Sequence, residues 1–145
     1  VGRDLGFLPG DLDEKMQPWL APIIDNFRVA FKETGYFEQM VQKGQIEVAP
    51  LAYIRGRTFN DSYIIVDEAQ NTTIHELKTI ITRIGKGSKI VLLGDTDQID
   101  TPYIDKNSNG LTVVVEKLRS SRLTSHVHLQ KGERSELATE ASEKL

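Results

Sequence analysis

Apolar residues along this chain follow two different periods, and the change from one to the other maps its elements. Trp19, Ile23, Phe27 and Phe31 recur at four-residue steps, which predicts an amphipathic helix over residues 18–33. Pro18 fits a first helical turn. Pro22 falls about one turn further in, so the helix is expected to be kinked there or to start later. Residues 1–13, punctuated by Gly2, Gly6, Pro9 and Gly10, read as a loop, with Asp11-Leu12-Asp13-Glu14 shaped as an acidic helix start. Gly35 can close the first helix. Residues 36–43 read as a short second helix ended by Gly44. Ile46-Glu47-Val48-Ala49 alternates and stops at Pro50, the pattern of a short strand.

The period then shortens. Tyr63-Ile64-Ile65-Val66 is an unbroken apolar run leading into Asp67-Glu68-Ala69-Gln70, and it predicts a strand buried on both faces. Thr73-Ile74-His75-Glu76 has the form of a capping box. Behind it Ile74, Leu77, Ile80, Ile81 and Ile84 form one helical face, closed by Gly85 and Gly87. Lys89-Ile90-Val91-Leu92-Leu93 is a second strand running into Gly94-Asp95. Strand–helix–strand implies a parallel pair with a right-handed crossover. Residues 100–110 read as a loop. Residues 111–118 fit a helix, although Val113-Val114-Val115 also suits a strand. His126-Val127-His128-Leu129 looks like a further strand, and a terminal helix is expected from about Ser135. No internal repeat or low-complexity segment is visible. The fold class expected is α/β, with a parallel sheet.

Composition narrows the picture only slightly. The 145 residues suffice for one domain with a core. Apolar content of 39% and charged content of 27% are ordinary for a globular chain. A formal net charge of −3 means that any nucleic-acid site must be a local patch. Absence of cysteine excludes a disulfide framework and Cys-ligated zinc, and fits a reducing cytoplasm. No apolar run approaches the roughly 20 residues of a membrane-spanning helix, and no signal-peptide pattern is present. Val1-Gly2-Arg3-Asp4 reads as the tail of an interrupted element, so a fragment is expected.

The strand ends carry the chemistry. Ligands of parallel α/β sheets bind at the carboxyl ends of strands. Adjacent carboxylates there are costly unless a cation meets them. Asp67 could hold Mg²⁺ through water, since Mg²⁺ keeps much of its hydration shell, and Glu68 points elsewhere and could orient an attacking water on a nucleotide phosphate. At the second end, Gly94 permits close backbone approach, and Asp95 or Gln98 could hydrogen-bond a γ-phosphate or that water. Arg134, just after a strand and at a helix entrance, could reach a phosphate bidentately or act as an arginine finger. Arg55-Gly56-Arg57, near Tyr53 and Phe59, suits phosphate contact and base stacking. A solvated loop pairing with some of the 21 acidic residues fits the same residues equally. His126 and His128 would share a strand face but have no third ligand nearby. A Gly-x-x-x-x-Gly-Lys-Ser/Thr phosphate loop is absent from the sequence; Gly85-Lys86-Gly87 has no glycine five residues before it.

Five segments together resemble the PhoH family of ATPases: Gly6-Phe7-Leu8-Pro9-Gly10-Asp11, residues 49–58 (APLAYIRGRT), residues 65–73 (IVDEAQNTT), Thr82-Arg83-Ile84-Gly85, and residues 94–100 (GDTDQID). The resemblance covers nearly the whole chain. Pro102-Tyr103, Asn109-Gly110-Leu111-Thr112 and Lys131-Gly132-Glu133-Arg134-Ser135 look most like the branch that often carries an N-terminal PIN ribonuclease domain. By this likeness the fold is of the P-loop, RecA-like, superfamily-1 helicase type, with its phosphate-loop part absent here. The resemblance matches Asp67-Glu68 to the Walker B pair, and Gly94-Asp95 with Gln98 to the γ-phosphate-sensing motif. It also implies ATP and Mg²⁺ as cofactors, single-stranded RNA as partner, phosphate-starvation or stress association, and homo-oligomeric rings. Two rivals differ in class. One is a nucleic-acid-binding or assembly module without hydrolysis. The other is a divalent-metal nuclease built on Asp67, Glu68, Asp95 and Asp97. Lacking the phosphate loop, these 145 residues alone are expected to be inactive.

Overall fold

A computed structural model describes residues 12–33 and 35–144. The motif at residues 6–11 therefore lies outside the described residues, as does most of the expected opening loop. Helix α1 spans Leu12–Phe31 and runs through both Pro18 and Pro22. It starts about a turn and a half before the predicted point. Helix α2, Tyr36–Gln42, follows a left-handed Gly35 (φ 85°) and ends at Lys43 before a left-handed Gly44. Met16, Leu20 and Ile24 of α1 bury against Phe37 of α2, with Trp19, Ile23 and Phe27 packed around them. The expected aromatic row is thus core, except at its end: Phe31 is about half exposed and meets Tyr36 ring to ring at 4.5 Å.

The predicted strand over 46–49 does not form. No ladder partner reaches it among the described residues, and its side chains are used otherwise. Ile46 and Val48 pack on the α1–α2 cluster, while Ala49 packs on a second cluster together with Leu51. The segment is an extended tie between two cores.

The second core belongs to a parallel pair. β1 is Tyr63–Val66 and β2 is Lys89–Leu92, paired Tyr63 to Lys89, Ile64 to Ile90, Ile65 to Val91 and Val66 to Leu92. Helix α3, Ile74–Ile81, lies between them in the chain and buries Leu77 and Ile80. Its capping box is as predicted: Thr73 accepts from the Glu76 N–H, and Glu76 accepts from the Thr73 N–H at 2.8 Å. The helix stops a turn earlier than predicted. Ile84 leaves the helical face and forms a parallel bridge with Phe59, so that the chain can turn back towards β2. Helix α4, Gly110–Leu118, settles the helix-or-strand ambiguity of the valine run: Asn109 caps it, accepting from the Thr112 N–H at 2.9 Å. The terminal helix α5, Glu136–Lys144, buries no residue.

Two expectations fail at the sheet. Residues 126–129 form no strand, because no strand edge accepts them among the described residues, and Val127 and Leu129 are left exposed. β1 is covered on one face only. Val66, Ile90 and Leu92 pack with α3, while Tyr63 (67%) and Ile65 (60%) remain open on the other face. The apolar run signals a strand suited to burial on both sides, and the described residues supply only one covering layer.

Candidate functional site

Both acid-bearing strand ends come together. The ladder continues past the strands: the Leu93 N–H donates to the Val66 carbonyl at 2.9 Å, and the Ala69 N–H donates to the Leu93 carbonyl at 2.8 Å. Asp67 follows β1, and its Oδ1 accepts from the Glu68 N–H at 3.0 Å. Glu68 itself sits in the left-handed region at φ 53°, ψ 38°, a conformation costing a non-glycine residue on the order of 1–2 kcal/mol. That strained residue makes the turn from strand into a short 3-10 segment, Ala69–Asn71. Both carboxylates are exposed.

The residue that joins the two ends is Gln70, fully buried. Its Nε2 donates to Glu68 Oε2 at 2.5 Å and to the Gln98 carbonyl at 3.2 Å. Its Oε1 accepts from the Asp95 N–H at 3.1 Å. One amide thus contacts the first carboxylate, the loop of the second strand and the backbone of Gln98. A Cβ on Gly94 would come within 2.7 Å of Gln70 Oε1 and of Leu111, so a bare glycine is what lets this amide reach across. Asn71 extends the clamp, its Oδ1 accepting from the Asp100 N–H at 3.0 Å.

On the second end, Asp95 is tightly bonded. One oxygen accepts from the Asp97 N–H at 2.9 Å and the other from Gln98 Nε2 at 2.8 Å. These bonds, the Asp97 N–H first and the Gln98 amide next, hold the Asp95 carboxyl below its ordinary value, with the charges of Arg134 and Lys106 adding to the effect. Arg134 Nη2 stands 3.9 Å from Asp95 Oδ2. Lys106 forms an ion pair with Asp97. The two cations offset part of the charge of Asp95 and Asp97. Among the described residues no group of three His, Asp or Glu converges as a metal cage.

The structure assembles Asp67, Glu68, Gly94, Asp95, Gln98 and Arg134. Arg55 and Arg57 stand apart from them, on the segment leading to the amino end of β1. Arg57 holds Glu47 through two bonds, 2.5 and 2.9 Å, and lies 4.8 Å over the Phe59 ring. That contact lowers the pKa of Glu47 and raises that of Arg57. Arg55 is exposed.

Sequence reasoning passed over Gln70 as a joining residue, and also the buried Asn109 and Thr72. Gln70 had one visible signal: a long polar residue two places after a strand-end carboxylate. For Asn109 the signal was Asn-x-x-Thr ahead of an apolar run, an N-cap pattern. Asn109 donates to the Asp105 and Lys106 carbonyls at 3.0 Å, and the Gly110 N–H donates to the Thr72 carbonyl at 2.7 Å. The start of α4 is thereby fastened to the turn after Gln70.

Residues 1–144 match the family model described as PhoH-like protein. The chain is 50% identical over 148 residues to "Protein PhoH2" of Bacillus subtilis, covering 100% of this chain and 34% of that protein. It is 48% identical over 119 residues to a "PhoH-like protein" of the same organism, covering 82% of this chain and 36% of that one. A "Protein PhoH2" of Mycolicibacterium smegmatis is 40% identical over 144 residues, 99% of this chain and 32% of its own length. The chain spans about a third of the length of these relatives. Among the described residues no helix is long and apolar enough to cross a membrane.

Proposed function

We propose that this chain, which belongs to the PhoH-like protein family, carries the water-activating and phosphate-sensing strand ends of an ATP-hydrolysing domain. The observation that carries the reading is the bridge through Gln70. It ties Glu68 to the backbone of Asp95 and Gln98, so that groups from two strand ends act on one reacting centre. Asp67 would hold Mg²⁺ through water, since Mg²⁺ keeps much of its hydration shell. When bound, the ion would supply neutralisation of phosphate charge. Glu68 is fixed by its left-handed turn and its bond to Gln70, and it orients and accepts a proton from the attacking water. Gln98, held by Asp95, contacts the γ-phosphate when its amide exchanges that partner. Arg134 neutralises charge that develops in the transition state.

Coupling to single-stranded RNA and assembly into homo-oligomeric rings rest on the family resemblance, as does a PIN domain elsewhere in a longer polypeptide. Exposed Arg55 is the residue of the basic loop most available for a phosphate. The test of the reading is Glu68→Gln in the full-length protein. ATP binding should persist while hydrolysis falls on the order of 10²–10⁴-fold. Nearly normal turnover with unchanged binding would remove the role given to Glu68 and favour a binding or assembly module that does not hydrolyse ATP.

A further inference from the structure

Gln98 is placed by a short 3-10 turn, Thr96–Gln98, whose entry and exit are fastened separately. At the entry, Asp95 accepts from the Asp97 N–H at 2.9 Å, and the Gln98 N–H donates to the Asp95 carbonyl at 3.1 Å. Gln70 holds the Asp95 N–H and the Gln98 carbonyl. Beyond Gln98 the chain leaves in extended form at Ile99, with ψ 119°. A 3-10 turn of three residues has few bonds of its own to keep it wound, so the hold on its exit matters as much as the hold on its entry.

Asn71 holds that exit. Its Oδ1 accepts from the Asp100 N–H at 3.0 Å, and its carbonyl accepts from the Thr101 hydroxyl at 3.3 Å. Asn71 is itself tied to the other strand end: its N–H donates to the carbonyl of left-handed Glu68 at 2.9 Å. The next residue, Thr72, is buried. Its hydroxyl donates to the Ala69 carbonyl at 2.6 Å, and its carbonyl accepts from the Gly110 N–H at 2.7 Å. Asn71 therefore sits in a segment that cannot shift without disturbing the start of α4. This one half-buried side chain joins the backbone of Glu68 to the backbone just past Gln98.

We propose that Asn71 is a positioning residue for triphosphate recognition. By holding the exit of the 96–98 turn against the backbone of Glu68, it keeps the Gln98 amide where that amide distinguishes a nucleoside triphosphate from a diphosphate. Asn71 touches no nucleotide; it acts through Gln98. The Gln98 amide is held on Asp95 at 2.8 Å and must exchange that partner to meet a phosphate. On a backbone fixed at both ends only the side chain has to reorder, and a group already held loses less freedom on binding. The inference rests on the ATPase reading and adds to it a determinant of triphosphate-over-diphosphate preference.

The test uses the full-length protein and compares the Mg²⁺ complexes of ADP and of the hydrolysis-resistant β,γ-imido analogue of ATP by calorimetry. Asn71→Ala should lower the preference for the triphosphate about three- to tenfold, the effect of one hydrogen bond, with ADP affinity unchanged. Amide hydrogen exchange of nucleotide-free protein should quicken over residues 95–101 and stay constant in α3. Asn71→Asp keeps the acceptor oxygen and should retain most of the preference. Gln98→Ala should lower the preference too, and adding Asn71→Ala to it should lower it no further, because both act through one group. Thr101→Val, which removes only the hydroxyl bond, should act in the same direction more weakly, and it takes the place of Asn71→Ala if that variant does not fold. Equal weakening of both nucleotides, additive losses in the double variant, or unchanged exchange over 95–101 would overturn the proposal. A wild type that hydrolyses ATP, but whose preference is absent or unmoved by the variants, would overturn the role of Asn71 alone. A wild type that neither hydrolyses ATP nor prefers the triphosphate would fail the ATPase reading, and the role of Asn71 with it.

Discussion

Gln70 is the residue on which the two strand ends depend. Replacing it with Ala would remove three hydrogen bonds, leave the Asp95 N–H without its acceptor, and open space in a fully buried position. The expected loss is about 2–4 kcal/mol of stability, measured by urea unfolding. Gln70→Glu is more diagnostic. It would set a second carboxylate against Glu68, and like charges disfavour ionisation. That variant should be destabilised at pH 7 and recover part of the loss as pH falls and one carboxyl takes up a proton. A Gln70→Glu protein whose deficit stays constant with pH would argue that the buried amide does not face Glu68. The arginine pair divides at the same scale. Arg57→Ala should expose the loss of its Glu47 and Phe59 contacts as a small reduction in stability, since exposed ion pairs contribute little. Arg55→Ala should leave stability unchanged and, under the proposed coupling to RNA, reduce the salt dependence of RNA binding by the full-length protein by about one contact. A titration series across salt concentrations, run beside unfolding curves, separates the two.

Helices α3 and α4 both begin at a side-chain cap. Helix α4 begins at a buried Asn109 that accepts from Thr112 and donates to two loop carbonyls. Asn109→Ala should cost about 1–2 kcal/mol for the cap, with an added penalty for stranded carbonyls. Asn109→Asp should retain the cap acceptor and lose the donated bonds, giving an intermediate value. Several carboxylates that stabilise turns and ends share a pH signature. Glu47 is depressed by Arg57, Asp95 by the Asp97 N–H and Gln98, and Asp105 by the Asn107 and Ser108 N–H groups. Each folded pKa lies below its unfolded value, so the stabilisation is complete above the ordinary carboxylate range and is lost as pH falls through the depressed values. The unfolding midpoint should therefore be level from neutral pH to about pH 5 and decline below about pH 4. A midpoint rising on acidification would contradict all three assignments.

For the whole molecule, the pairing of acid-bearing strand ends is not enough for turnover. The 145 residues contain no Gly-x-x-x-x-Gly-Lys-Ser/Thr loop, and backbone N–H groups with such a lysine normally hold a triphosphate in line. Asp67, Glu68 and Asp95 would repel an unheld triphosphate. Purified chain should release no appreciable phosphate from ATP and should bind Mg²⁺-ATP weakly by calorimetry. Robust turnover abolished by Asp67→Ala would mean that a phosphate cradle of another kind exists in these residues.

The sequence by itself determined the elements whose signals are local. The Thr73–Glu76 capping box and the helix behind it are set by contacts within a few residues, the two flanking strands are marked by their apolar runs, and the structure reproduces all of them. The carboxylates were equally legible, since an apolar run ending in Asp-Glu cannot hide its charges. Tertiary structure decided whatever needed a distant partner. Residues 46–49 and 126–129 carry strand-like patterns but find no ladder among the described residues, and a strand exists only where its backbone groups are paired. Tyr63 and Ile65 show that an apolar run states a need for cover without supplying the cover. Gln70 could be read as a neighbour of Glu68, but its reach to Asp95 and Gln98 depends on the register of β1 beside β2 and on a bare Gly94. The amide of Gln70 can reach Gln98, 28 residues on, only after two strands have been brought side by side.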